Sequence, residues 1–123
     1  MDLNKISEKI IGCAIKVHRT LGPGLLESTY EICLIHELKK EGLKVKSQVV
    51  LPVIYDDIKL DAGYRIDLLV EDAVIVELKA VENLLPIHEA QVLSYLKLSG
   101  KKLGLLINFN VKQLIKGVKR LVN

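Results

Sequence analysis

The chain has 123 residues, half of them hydrophobic, and 18 Lys and Arg against 15 Asp and Glu give a net charge of +3. That length and apolar content suit a single domain over residues 1–123 with a real core, and they exclude a disordered charged chain. No run approaches a membrane span, the start lacks a signal-peptide pattern and no Cys/His group has zinc spacing, so a cytoplasmic protein is expected.

Residues Asn4 to Leu21 read as a helix, with Ile6, Ile10, Cys13 and Val17 at helical spacing. Gly22-Pro23-Gly24 stops it. A second helix is predicted from Leu25 to Glu41, with Leu26, Tyr30, Cys33, Leu34 and Leu38 as its apolar stripe and Gly42 as its cap. Cys13 and Cys33 are expected as buried thiols. Glu27 lies near the stripe, and its plain reading is a first-turn acid favoured by the helix dipole. Lys44 to Tyr55 has strand composition, with Pro52 marking an edge or a bulge. Asp56-Asp57 marks a turn, Ile58 to Ala62 begins a return strand and Gly63 a bend. Residues 44–62 are thus one bent strand or two short ones.

The most informative stretch runs from Arg65 to Lys79. Two apolar runs, Arg65–Val70 and Ala73–Lys79, flank Glu71-Asp72 and read as a hairpin. Strand alternation sets Asp67 with Arg65 and Leu69, and Glu77 with Ile75 and Lys79. The loop length decides the chemistry. A two-residue loop sets Asp67 opposite Val76. A loop of Glu71-Asp72-Ala73 sets Val70 opposite Val74 and Asp67 opposite Glu77, with Cβ atoms about 4.5–5.5 Å apart. Two bare carboxylates at that separation repel, so one tends to hold a proton. A hard divalent cation between them removes the conflict. The three-residue loop is therefore expected.

After a connection over Ala80–Leu85, a helix is predicted from Pro86 to Gly100. His88, Gln91 and Tyr95 share one stripe of it. Leu103 to Phe109 reads as a short apolar strand, and Val111 to Leu121 as a last helix bearing Lys112, Lys116, Lys119 and Arg120. Its charge run is read as a solvated face, with phosphate contact as the alternative. One mixed sheet flanked by helices is the expected packing.

Asp67 followed by Glu77-Leu78-Lys79 resembles the PD-(D/E)xK nuclease signature, with Arg65-Ile66-Asp67 in place of its Pro-Asp part. Gln91 and Tyr95 resemble the QxxxY element of its exonuclease branch. Gly24-Leu25-Leu26-Glu27-Ser28-Thr29-Tyr30 resembles the GxxExxY motif of a small family in the same superfamily. The resemblance implies a restriction-endonuclease-like α/β (α+β) fold with an αβββαβ core. It implies that Asp67, Glu77 and the Leu78 backbone carbonyl hold Mg²⁺, or Mn²⁺, with Glu27 completing the acidic set. Lys79 would then neutralise charge on the phosphate, and Gln91 and Tyr95 would position the nucleophile. Arg65, Tyr30 and His88 are candidate substrate contacts. The implied substrate is nucleic acid, DNA ahead of RNA.

The chain has no Trp, one Phe and four Tyr, so stacking platforms for bases are scarce. A nuclease core this small would need a homodimer or an accessory protein to choose its substrate. Two other readings are weighed against an enzyme. One is a catalytically silent module of the same fold that binds nucleic acid or protein. The other is a structural ion-pair network of the carboxylates with Lys79 and Arg65.

Overall fold

The computed structural model describes residues 1–123. Helix α1 spans Leu3–Leu21 and buries Ile6, Ile10, Cys13, Ala14 and Val17, the stripe its spacing predicts. Asp2 caps it by accepting the Lys5 N–H at 2.8 Å. The chain turns at Gly22 and Gly24, whose φ angles of +70° and +99° favour glycine. Helix α2 then spans Glu27–Lys40 and buries Tyr30, Leu34 and Leu38. The Tyr30 hydroxyl donates to the Gly22 carbonyl at 2.6 Å and accepts from the Leu25 N–H at 3.1 Å. Its ring stacks on Phe109 at 4.5 Å. This one side chain locks the α1–α2 connection to the core.

The main sheet holds five strands in the order β1-β4-β5-β6-β7. They are β1 (Val45–Val50), β4 (Arg65–Val70), β5 (Val74–Lys79), β6 (Leu103–Asn108) and β7 (Val118–Val122). Only β5 and β6 run parallel, joined across helix α3 (Pro86–Ser99). The sheet is mixed and flanked by helices, as expected for a restriction-endonuclease-like αβββαβ core.

Alternation along β5 and β6 separates two cores. Val74, Val76, Leu78, Leu103, Leu105 and Ile107 join α1 and α2 in the larger one. Ile75 and Leu106 join Val92, Tyr95 and Leu96 of α3 in the smaller one. Gly104 lets α3 come close: a Cβ there would lie 2.7 Å from Val92 Cγ1.

Two segments depart from expectation. Residues 44–62 form two pieces: β1, then a separate hairpin of β2 (Val53–Tyr55) and β3 (Ile58–Leu60) turning at Asp56-Asp57. The predicted last helix over Val111–Leu121 is instead a 3₁₀ turn at Leu114–Gly117 followed by β7. Leu114, Ile115 and Val118 fit a helical stripe, but the open edge of β6 decides the outcome. Pairing with β7 satisfies the backbone of a strand whose every residue is buried.

Candidate active site

The β4–β5 connection is Glu71-Asp72-Ala73, with Val70 paired to Val74 and Leu68 to Val76. Glu71 and Asp72 take φ angles of +54° and +52° to close it. Asp67 and Glu77 are next in that register, but the ladder stops before them. Each carboxylate takes the place of a strand partner. The Asp67 N–H donates to Glu77 Oε1 at 3.0 Å, and the Leu78 N–H donates to Asp67 Oδ2 at 2.9 Å. The two acids therefore meet in a notch between parting strands.

The partner strand shows why the notch exists. β1 and β4 pair on either side of Gln48 and Asp67, but not at those two residues. Gln48 has a φ of +52°. On the near side, Val45 and Leu68 pack into the larger core. Beyond the lapse, Val49 and Ile66 pack into the smaller one. Val45 and Val49 should share a face, as should Ile66 and Leu68. Both strands thus exchange faces at Gln48–Asp67. This corrects the expectation that Asp67 shares a continuous face with Arg65 and Leu69.

Glu77 is 4% exposed. Burial, then the neighbouring Asp67 charge, pushes its pKa up to about 8, against the lowering pull of Lys79. A proton is thus retained where two carboxylates converge. Lys79 is half-buried and makes no ion pair within 4.0 Å. On the α3 side, Gln91 Nε2 donates to the Tyr95 hydroxyl at 3.2 Å. Burial first, then the Glu77 and Asp67 charges, raise the Tyr95 pKa and keep its proton on. Tyr64 meets the Tyr95 ring edge-on at 6.1 Å.

The structure brings Asp67, Glu77 and the Leu78 backbone together, with Tyr95 and its partner Gln91 beside them. Glu27 is the exposed first residue of α2 and makes no hydrogen bond or ion pair to the two acids. One turn further on, Glu31 accepts from Gln48 Nε2 at 3.0 Å, and the same nitrogen lies 3.5 Å from Asp67 Oδ1. Sequence reading missed Gln48 and Glu31. Glu31 follows Glu27 by four residues on the same helix face, which was a usable signal. Tyr30 is wholly buried, out of a substrate's reach. Arg65 turns to Asp61 at 3.4 Å and to the Tyr64 carbonyl at 2.9 Å. His88 caps α3 by accepting the Leu85 N–H at 3.0 Å. With Lys79 unpaired and Arg65 turned away, no ion-pair network forms around the acids.

Asn108 was also missed. It is buried at the end of β6, opposite Lys79. Its amide donates to the Val81 carbonyl at 2.9 Å, and its Oδ1 accepts from Val81 and Asn110 N–H groups, both at 3.1 Å. The connection leaving Lys79 is clamped there.

The donor set suits a hard divalent cation. Two facing carboxylates, one holding a proton in the cation's place, are the number such an ion takes when water and phosphate complete its shell. No group of three or more His, Cys, Asp or Glu gathers at metal-binding geometry. The surface cavities are lined by residues from 12–41 and 111–116 and include neither acid. A family model described as the PD-(D/E)XK nuclease superfamily matches residues 4–121. No curated protein and no solved structure matches the chain.

Proposed function

This chain belongs to the PD-(D/E)XK nuclease superfamily, and we propose that it is a divalent-metal-dependent nuclease that hydrolyses phosphodiester bonds in DNA, ahead of RNA. The observation that carries this is the pair of carboxylates at Asp67 and Glu77, each accepting a backbone N–H where the β4–β5 ladder stops. Asp67, Glu77 and the Leu78 carbonyl would hold Mg²⁺ or Mn²⁺. Bound there, the ion lowers the pKa of its water and polarises the scissile phosphate.

The other roles belong to the chain. Lys79 offers an unpaired ammonium beside the notch, suited to charge developing on the phosphate. The Tyr95 hydroxyl, held by Gln91, orients the attacking water or a phosphate oxygen. Gln48 steadies Asp67 and ties it to Glu31 on α2. The exposed Glu27 would join the acidic set through water. The Gly24–Tyr30 motif supports placing the chain in the GxxExxY family. Residues 1–123 are read as one nuclease-like domain, because a single sheet separates and supports both cores. No helix is long and apolar enough to cross a membrane, and the free Cys13 and Cys33 suit the reducing cytoplasm proposed as its location.

The test pairs cleavage with binding. Wild-type protein should cut DNA with Mg²⁺ or Mn²⁺, while Glu77→Gln should not and Lys79→Ala should cut at least about a hundredfold more slowly. Calorimetry should show the metal binding wild type and losing affinity in Glu77→Gln. Equal cleavage by all three proteins would identify a contaminant and sink the proposal. A silent nucleic-acid- or protein-binding module is the second reading, favoured by the lack of a third acid at the notch. It requires nucleic-acid or protein affinity that survives loss of Glu77, with no metal-dependent cutting.

A further inference from the structure

Gln48 lies opposite Asp67, at the step where β1 and β4 do not pair. Its φ of +52° is a conformation that Gly or Asn adopts at little cost and Gln does not. Strain of this kind persists only where the surroundings enforce it, and it gathers at functional sites. The side chain shows what it serves. Gln48 Nε2 donates to Glu31 Oε1 at 3.0 Å and lies 3.5 Å from Asp67 Oδ1. An amide between two carboxylates presents its nitrogen to both, one hydrogen towards each. Glu31, half-buried on α2, makes the shorter bond and so fixes which way the amide faces.

The effect falls on the Asp67 carboxylate. Its Oδ2 accepts the Leu78 N–H at 2.9 Å. One hydrogen bond leaves a carboxylate free to turn about its Cβ–Cγ bond, whereas a second contact, at Oδ1, fixes its plane. The Gln48 contact is long, so it orients Oδ1 without occupying the oxygen. We propose that Gln48 and Glu31 are positioning residues for Asp67. The lapse in the β1–β4 ladder turns Gln48 towards the notch, Glu31 holds its amide, and the amide aims Asp67 Oδ1 at the cation's place. This rests on the reading of Asp67 as a metal ligand and extends that reading to α2. Hydrogen-bonding partners of a metal's ligands set its affinity by orienting them. The strained Gln48 backbone therefore serves the site and works against stability.

Gln48→Asn separates the two effects. Asn suits a positive φ, but it is one methylene shorter and does not span Glu31 and Asp67. This variant should melt no lower than wild type, yet bind Mn²⁺ at least about tenfold more weakly in calorimetry. Glu31→Gln keeps the shape but not the charge that fixes the amide, and it should weaken Mn²⁺ to a similar degree. The metal-free protein gives an independent readout, because the Leu78 N–H reports where Asp67 lies. Its hydrogen exchange, followed by ¹⁵N NMR, should speed up about fivefold or more in both variants. Thermal melts by circular dichroism report that each is folded.

Leu78 exchange at the wild-type rate in both variants overturns the proposal, whether or not metal binds. So does Mn²⁺ affinity that matches a metal-binding wild type in both, or that falls only in step with the melting temperature. Faster Leu78 exchange in both variants of a protein that binds no metal upholds the positioning of Asp67 and sinks the nuclease reading instead.

Discussion

Glu77 sets the pH behaviour of the metal-free protein. Its pKa is pushed from 4.5 to about 8, first by burial and then by Asp67. Between those values the folded chain holds a proton that the unfolded chain releases. Stability therefore falls as pH rises. The contribution is fully present below pH 4.5 and is lost as pH passes through about 8. Its size is on the order of a few kcal/mol. Without metal, the wild-type Tm should drop from pH 5 to pH 8, and Glu77→Gln should remove most of that slope. Mn²⁺ should raise the wild-type Tm more at pH 8 than at pH 5, because it takes the place of the proton. Parallel wild-type and Glu77→Gln profiles in differential scanning calorimetry would refute this account. Lys79 plays a different part. It makes no ion pair in the folded chain. Lys79→Ala should leave Tm unchanged while lowering kcat on the order of 10²–10³-fold, as loss of a charge-stabilising donor does. Single-turnover cleavage beside a thermal melt separates the two effects.

At the level of elements, the end of β6 fixes the path of the chain beyond Lys79. Asn108 holds both backbone groups of Val81 and the N–H of Asn110. Asn108→Ala leaves these buried groups without their partner and should cost about 2 kcal/mol, read from urea unfolding. The same change should lower cleavage beyond its effect on stability, because this connection carries Lys79 on to α3. The elements that sequence made legible were those with local instructions. Pro86 and Gly100 bracket α3 as helix start and stop signals do, and the Gly22-Pro23-Gly24 turn ends α1. The loop Glu71-Asp72-Ala73, which sets the two acids in register, was legible because a divalent cation between facing carboxylates removes their repulsion. The features that stayed hidden depend on long-range pairing. The face exchange at Gln48 and Asp67 exists only because two strands, distant in sequence, break pairing at the same step. Residues 118–122 became a strand because β6 needed an edge partner, a demand invisible in Leu114, Ile115 and Val118 alone. The role of Glu31 appears only once α2 lies beside Gln48.

At the scale of the whole molecule, an acidic notch must receive a polyanion, and the charge around it matters. β5 and β6 run parallel, so Lys79 and Asn108 lie at the same end of the sheet. β7 is antiparallel to β6, and Ile107 pairs with Val118, so residues 109–117 lie at that end too. His18 Nε2 meets the Val111 carbonyl at 2.6 Å, which docks the end of α1 there with Arg19. Arg19, Lys112 and Lys116 are all exposed, and none makes an ion pair. Lys119 is exposed on the edge strand, while Arg120 is spent on Ser7 at 2.9 Å and Asn4 at 2.7 Å. The basic run therefore divides by use: its first half borders the notch end of the sheet, and its last member braces α1. If the proposed substrate's phosphate backbone runs along that end of the sheet, Arg19, Lys112 and Lys116 each replace a condensed counterion. Binding of duplex DNA to Glu77→Gln should weaken with salt. The slope of log K against log salt should shrink by about 0.9 for each phosphate contact removed by Arg19→Ala, Lys112→Ala or Lys116→Ala. Arg120→Ala should leave that slope alone and lower Tm instead. Fluorescence anisotropy over a salt series measures the slopes, and a triple variant with the wild-type slope would show that the substrate approaches from another side.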